Sequence, residues 1–192
     1  MINVIQTKIP GVVIIEPRVF GDDRGYFFES WSQKDFDEQV RPIKFVQDNE
    51  SKSCYGVLRG LHFQKGKHAQ SKLVRVVKGK VLDVAVDIRK GSPTFGKYIA
   101  VELTEDNHRQ FFVPRGFAHG FVVLSETAVF QYKCDNLYAP TEEGALAWDD
   151  PEIGIDWGVP ADKVILSAKD KIHPTLKEST ELFDYDIDYY AE

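Results

Sequence analysis

Proton transfer near neutral pH needs a group that titrates there, and an unperturbed imidazole does so at about pH 6.5. The chain holds five histidines: His62, His68, His108, His119 and His173. Two stand in segments rich in glycine and phenylalanine, Arg59-Gly-Leu-His62-Phe-Gln and Pro114-Arg-Gly-Phe-Ala-His119. Judged by Leu61 and Phe63 alone, His62 also fits a core histidine with satisfied ring nitrogens. No Gly-x-Gly-x-x-Gly follows a strand, no phosphate loop ends in Gly-Lys-Ser/Thr, and no Gly-x-Ser-x-Gly elbow occurs. Dinucleotide oxidoreductases, phosphate-loop hydrolases and α/β-hydrolases are excluded together. Cys54 and Cys134 are too few for a disulfide framework and form no Cys-x-x-Cys pair, so a reducing compartment is expected.

Short β-branched runs must position these groups. Residues 73–77 and 81–88 read as strands joined through Lys78-Gly79, where glycine takes the positive φ of a tight hairpin. In the second run Leu82, Val84, Val86 and Ile88 fall on one side and Val81, Asp83, Ala85 and Asp87 on the other, which predicts one drier face. Further strands are predicted over 98–103, 110–113, 120–124 and 127–134, with turn chemistry at Gly91-Ser92-Pro93 and Pro114-Arg115-Gly116. In the last of these Ala128, Phe130, Tyr132 and Cys134 share the side that turns inward, where a phenol needs a hydrogen-bond partner. Helical signal is confined to 32–40, capped by Ser32, and a turn near 160–163. The predicted class is all-β, a jelly-roll sandwich or barrel with peripheral helices, in one domain of 192 residues.

The His62 and His119 segments resemble cupin motifs. A metal-binding cupin presents His-x-His with a nearby Glu, then a further His, to a divalent metal. Here Gln64 stands in place of the second histidine and no Glu follows before Lys72, so neither a metal nor another cofactor is expected. A closer resemblance extends over residues 11–170. Asp22-Asp-Arg24-Gly-Tyr-Phe-Phe-Glu29, Gln47-Asp-Asn49, the His62 and His119 segments, and Leu166-Ser-Ala-Lys-Asp170 are together similar, in order and spacing, to the dTDP-4-dehydrorhamnose 3,5-epimerase family. The resemblance implies a metal-free cupin homodimer that inverts C3 and C5 of dTDP-4-dehydro-6-deoxy-D-glucose in dTDP-L-rhamnose synthesis.

Protons on C3 and C5 of that sugar are both α to the C4 ketone, so a base and an acid on opposite faces would invert each centre if the enolate is stabilised. By resemblance, His62 is the base, Asp170 its orienting carboxylate, Tyr132 the acid, and Lys72 the cation at the C4 oxygen. Read locally, Asp170 between two lysines is a solvated carboxylate, and Lys72 a snorkelling strand-end lysine. Arg24, Arg59, His119 and Lys169 resemble family positions that contact substrate, arginine being suited to diphosphate oxygens. Glu29, Gln47, Asp48 and Asn49 match polar recognition segments, Tyr138 the aromatic that stacks on thymine, and Glu143 a nearby contact. Residues 47–49 alone also read as a hydrophilic turn, and 138–144 as a connecting loop.

Composition bounds the alternatives. With 24 basic and 30 acidic residues the net charge is −6, which argues against bulk attraction to nucleic acid and requires local cations around a diphosphate. The first ten residues lack a secretory pattern, and no apolar run approaches the roughly 18 residues of a membrane span, so a cytoplasmic location is expected. A single-centre epimerase or ketoisomerase on a related dTDP-sugar, a metal-dependent cupin, and a noncatalytic sugar-nucleotide module are the competing classes. The apolar residues 11–15 either add an edge strand to a partner's sheet or pair within their own chain. The acidic, tyrosine-rich tail over 181–192 either packs through Phe183, Tyr185 and Ile187 or stays mobile.

Overall fold

In the computed structural model, which describes residues 2–191, period-two alternation builds two large antiparallel sheets. The strands in chain order are β1 (Ile2–Gln6), β2 (Val13–Pro17), β3 (Val19–Asp22), β4 (Gly25–Phe28), β5 (Gln47–Cys54), β6 (Leu58–Gln64), β7 (Lys72–Lys78) and β8 (Lys80–Asp87). They continue with β9 (Arg89–Lys90), β10 (Tyr98–Thr104), β11 (Gln110–Val113), β12 (Phe117–Val123), β13 (Thr127–Cys134), β14 (Glu143–Ala145) and β15 (Phe183–Asp184). One sheet runs β1-β2-β11-β7-β13-β5 and the other β10-β8-β12-β6-β14. Val74, Val76, Phe111, Phe130 and Ala128 from the first meet Val81, Ala85, Leu103, Phe121 and Val123 from the second in one buried cluster. The all-β, cupin-like sandwich expected from the sequence is the observed architecture.

The expected hairpin between β7 and β8 does not form, because the two strands lie in different sheets. Gly79 has φ +81 as anticipated, but it turns the chain from one sheet to the other. A Cβ there would stand 2.1 Å from the Thr127 carbonyl oxygen, so the corner accepts only glycine. Neither face of β8 is wet: Val81, Asp83, Ala85 and Asp87 are as buried as Val84 and Val86. The first face looks into the sandwich, and the second is roofed by Leu146, Ile153, Trp157, Leu176 and Phe183 from the segment beyond β14. β12 begins three residues earlier than expected, which puts His119 inside a strand.

Helix α1 (Gln33–Gln39) starts where Ser32 Oγ accepts the Asp35 amide, a cap worth about 1 kcal/mol. It seats Phe36 on Val13, Ile15, Leu73 and Phe112, the outer face of the six-stranded sheet. Of the apolar residues 11–15, Val13, Ile14 and Ile15 pair within the chain, β2 lying between β1 and β11. The tail packs through Phe183, Tyr189 and Tyr190, whereas Tyr185 and Ile187 are exposed. β3 and β4 form a detached two-stranded ribbon with every residue but Phe28 exposed.

Candidate active site

His62 owes its position to a close approach of backbones. On β6, Gly60 has φ +138, and a Cβ there would lie 2.5 Å from the Gly120 Cα on β12. This contact brings β6 and β12 together where His62 and His119 stand opposite each other in register. His62 Nε2 lies 2.6 Å from Asp170 Oδ1, a short charge-assisted length. Asp170 is only 3% exposed. Burial by itself would raise its carboxyl, but hydrogen bonds from His62, Ser167 and His173, with the His62 charge, outweigh this and hold it below the usual carboxylate range. His119 Nε2 meets both oxygens of Asp83, at 2.9 and 3.0 Å. Burial raises the Asp83 carboxyl against the opposing pull of His119 and Lys72.

The facing sheet supplies the other half. Tyr132 on β13 pairs in register with Asn49 of β5 and Val74 of β7. Lys72 opens β7 beside Cys134, with Nζ 5.8 Å from the Tyr132 ring centre. Burial lowers the Lys72 ammonium, opposed by nearby acidic groups including Asp83 and Glu143. Burial raises the Tyr132 phenol, with Arg59 acting in the opposite sense. It also pushes the Cys134 thiol up to about 11, which makes this cysteine a poor nucleophile at neutral pH. His62, Lys72, His119, Tyr132 and Asp170 all line one cavity of about 600 Å³.

The cavity runs into a second hollow of about 270 Å³ through shared walls at Asn49, His62, Lys72, Tyr132 and Glu143. Gln47 and Tyr138 line that outer part. The Tyr138 hydroxyl donates to Glu143 Oε2 at 3.3 Å, and Lys169 Nζ lies 3.5 Å from the same oxygen. Arg59 enters from β6 and donates from Nε to Ser53 Oγ. Residues 47–49 are strand rather than turn, and alternation sends Asp48 to the opposite face of β5, where it pairs with Lys133 at 3.0 Å. Arg24 and Glu29 also lie outside the cavity lining. Arg24, 90% exposed, sits at the turn of the β3–β4 ribbon beside Asp22.

Asp83, Ser53, Ser167 and His173 escaped the sequence reading. Asp83 left one signal, a charge in the middle of a mostly apolar strand; Ser167 and His173 each stand three residues from Asp170 and Ser53 six from Arg59, partners that only the local path of the chain aligns. Gln64, in place of the second cupin histidine, is engaged structurally by the Ala139 amide at 2.8 Å. His62, Asp170 and His173 bring donor atoms within 4.8 Å of one another, close enough to raise a cation site. Ligands on one tetrahedral metal at about 2.1 Å stand about 3.4 Å apart. The 2.6 Å His62 contact is instead a hydrogen bond, an arrangement for sharing protons.

Comparison with known proteins bears on the fold and on the sequence as a whole. A family model described as dTDP-4-dehydrorhamnose 3,5-epimerase matches residues 6–178. The chain is 56% identical over 180 residues to the dTDP-4-dehydrorhamnose 3,5-epimerase of Salmonella typhimurium, covering 93% of this chain and 98% of that protein. The corresponding Escherichia coli enzyme is 53% identical over 94% of this chain and 97% of its own. A crystal structure of a dTDP-6-deoxy-D-glucose-3,5-epimerase from Legionella pneumophila, in complex with dTDP-4-keto-L-rhamnose, superposes with a TM-score of 0.94 at 47% identity, covering 97% of this chain and all of that one. With its fold, its paired histidine and carboxylate, and its sequence in agreement, this chain belongs to the dTDP-4-dehydrorhamnose 3,5-epimerase family.

Proposed function

We propose that this epimerase inverts C3 and C5 of dTDP-4-dehydro-6-deoxy-D-glucose with His62 as the base and Tyr132 as the acid. The observation that carries this reading is their placement: the imidazole comes from one sheet, the phenol from the other, and both line the same cavity. Donation of Nε2–H to Asp170 leaves the lone pair on Nδ1, which takes the proton α to the ketone. Asp170 then stabilises the imidazolium. Lys72, half-buried in the cavity wall, is the proposed cation for the enolate oxygen, where a fixed charge acts strongly once water is excluded. Tyr132 retains its proton because burial raises the phenol, so it can return hydrogen to the opposite face.

Arg59 and Lys169 supply positive charge around the diphosphate, His119 is a further substrate contact, and Tyr138 offers an exposed ring to thymine, with Gln47, Asn49 and Glu143 as polar contacts. The reaction is run in deuterium oxide. Label at both C3 and C5 is expected, whereas label at one carbon would replace this reading with single-centre epimerisation. His62→Asn and Tyr132→Phe are expected to lower turnover by about 10²–10⁴-fold with the fold retained.

The active form is proposed to be a homodimer. Phe20, Tyr26 and Phe27 are 51%, 64% and 70% exposed on the β3–β4 ribbon, an apolar surface that favours a partner. Laid across the cleft of a second copy, the ribbon would bring Arg24 and Glu29 of the partner subunit to the nucleotide. Light scattering at low concentration should give twice the chain mass; a monomer that remains fully active would overturn this assembly. The two free thiols support a cytoplasmic location.

A further inference from the structure

His173 lies 111 residues from His62 in sequence and has no place in the division of labour above. In the fold it reaches the same carboxylate: its Nε2 is 3.2 Å from Asp170 Oδ1, the oxygen that His62 Nε2 meets at 2.6 Å. The two imidazoles stand edge to face with centres 5.9 Å apart. Ser167 Oγ donates to the other oxygen, Oδ2, at 2.9 Å. Three donors thus fix the plane of one buried carboxylate.

We propose that His173 is a positioning residue for the base, acting through Asp170 to orient the His62 ring. The proposal rests on the assignment of His62 and Asp170 as base and partner, and deepens it. Sharing Oδ1 stops the carboxylate from rotating about its Ser167 contact, so His62 keeps one orientation.

The other charged groups around His173 do not replace this contact. They are Lys169 beside Asp170, Lys65 after β6, Glu143 from β14, and Glu178 and Glu181 from the covering segment. Lys65 is paired with Glu181 at 2.6 Å and Glu178 with the Thr175 amide and hydroxyl, while Glu143 faces Lys169 and Tyr138. Among the described residues, His173 alone shares Oδ1 with His62.

The test compares full-length His173→Leu and His173→Gln with the parent enzyme in kcat and KM at neutral pH, using dTDP-4-dehydro-6-deoxy-D-glucose. His173→Leu should lower kcat several-fold with little change in KM, and His173→Gln, which keeps an N–H donor for Asp170, should restore kcat. Parent-like kcat in His173→Leu would overturn the proposal, as would a His173→Gln variant as impaired as the leucine one; if the leucine variant fails to fold, a His173→Gln kcat lowered by about tenfold or more does the same. His62→Asn is run alongside. Turnover surviving in that variant would sink the base assignment itself, whereas a dead His62→Asn with parent-like His173→Leu kinetics would sink only the role of His173.

Discussion

His119 Nε2 bridges the two oxygens of Asp83, at 2.9 and 3.0 Å, inside the five-stranded sheet. Neither oxygen reaches solvent, so the carboxylate serves to hold the imidazole against the cavity wall. Asp83→Asn keeps the shape and removes the charge. A hydrogen bond to a charged group is worth about 1.5–3 kcal/mol, so kcat/KM should fall roughly 10–150-fold while circular dichroism stays parent-like. Steady-state kinetics with the dTDP-sugar checks this.

Asp170→Asn should lower kcat by about 10²–10⁴-fold, since an amide no longer stabilises the imidazolium. It also has a stability signature. The Asp170 carboxyl is held below its ordinary value in the folded state, so its contribution is fully present above the unfolded value of about 3.9 and is lost as pH falls through the folded one. Urea denaturation should therefore show a constant gap between parent and variant from pH 8 to pH 5, shrinking below about pH 4.

Lys72 should set the alkaline limb. Burial lowers its ammonium while burial raises the Tyr132 phenol, so the two groups move in opposite senses and the lysine loses its proton earlier than an exposed lysine would. Activity should decline at a pH below the ordinary lysine range of about 10.4. Lys72→Met removes the cation at the enolate oxygen, and kcat should drop about 10²–10³-fold with no remaining fall on that limb. A pH series of initial rates reads both effects.

Gly79→Ala should destabilise the fold by about 2 kcal/mol or more, because φ is positive and the added carbon meets the Thr127 carbonyl. Urea melts measure the loss. Gly25→Ala on the exposed ribbon meets no atom within 4 Å, so backbone strain at its positive φ is the whole effect and the loss should be smaller.

The strands legible in the sequence were those whose alternation is strong: the inward side of β13, with Phe130 and Tyr132, came directly from period two. β5 was hidden because Gln47–Cys54 contains no large aliphatic residue, and its pairing with β13 supplies what propensity does not. The β7–β8 corner was misread because Lys78-Gly79 has the same turn chemistry whether the chain folds back in one sheet or crosses to another. At the site, the family resemblance located His62, Asp170 and Tyr132 by number, and the fold brings His62 within 2.6 Å of that carboxylate 108 positions away. His173 could not be found from sequence at all, since its meaning comes from an oxygen it shares with a residue on another element.

The carboxylate that meets His62 belongs to the covering segment rather than to either large sheet. A nascent chain emerging from the ribosome has every strand of both sheets by residue 145, with His62, Lys72, His119 and Tyr132 already made. Asp170 follows 25 residues later. Translation therefore passes through a stage at which the scaffold is complete and His62 is still without its carboxylate. On the proposed assignment, turnover begins only once the last part of the message is read, and a truncated product ending before Asp170 is a scaffold without the proposed catalytic pair.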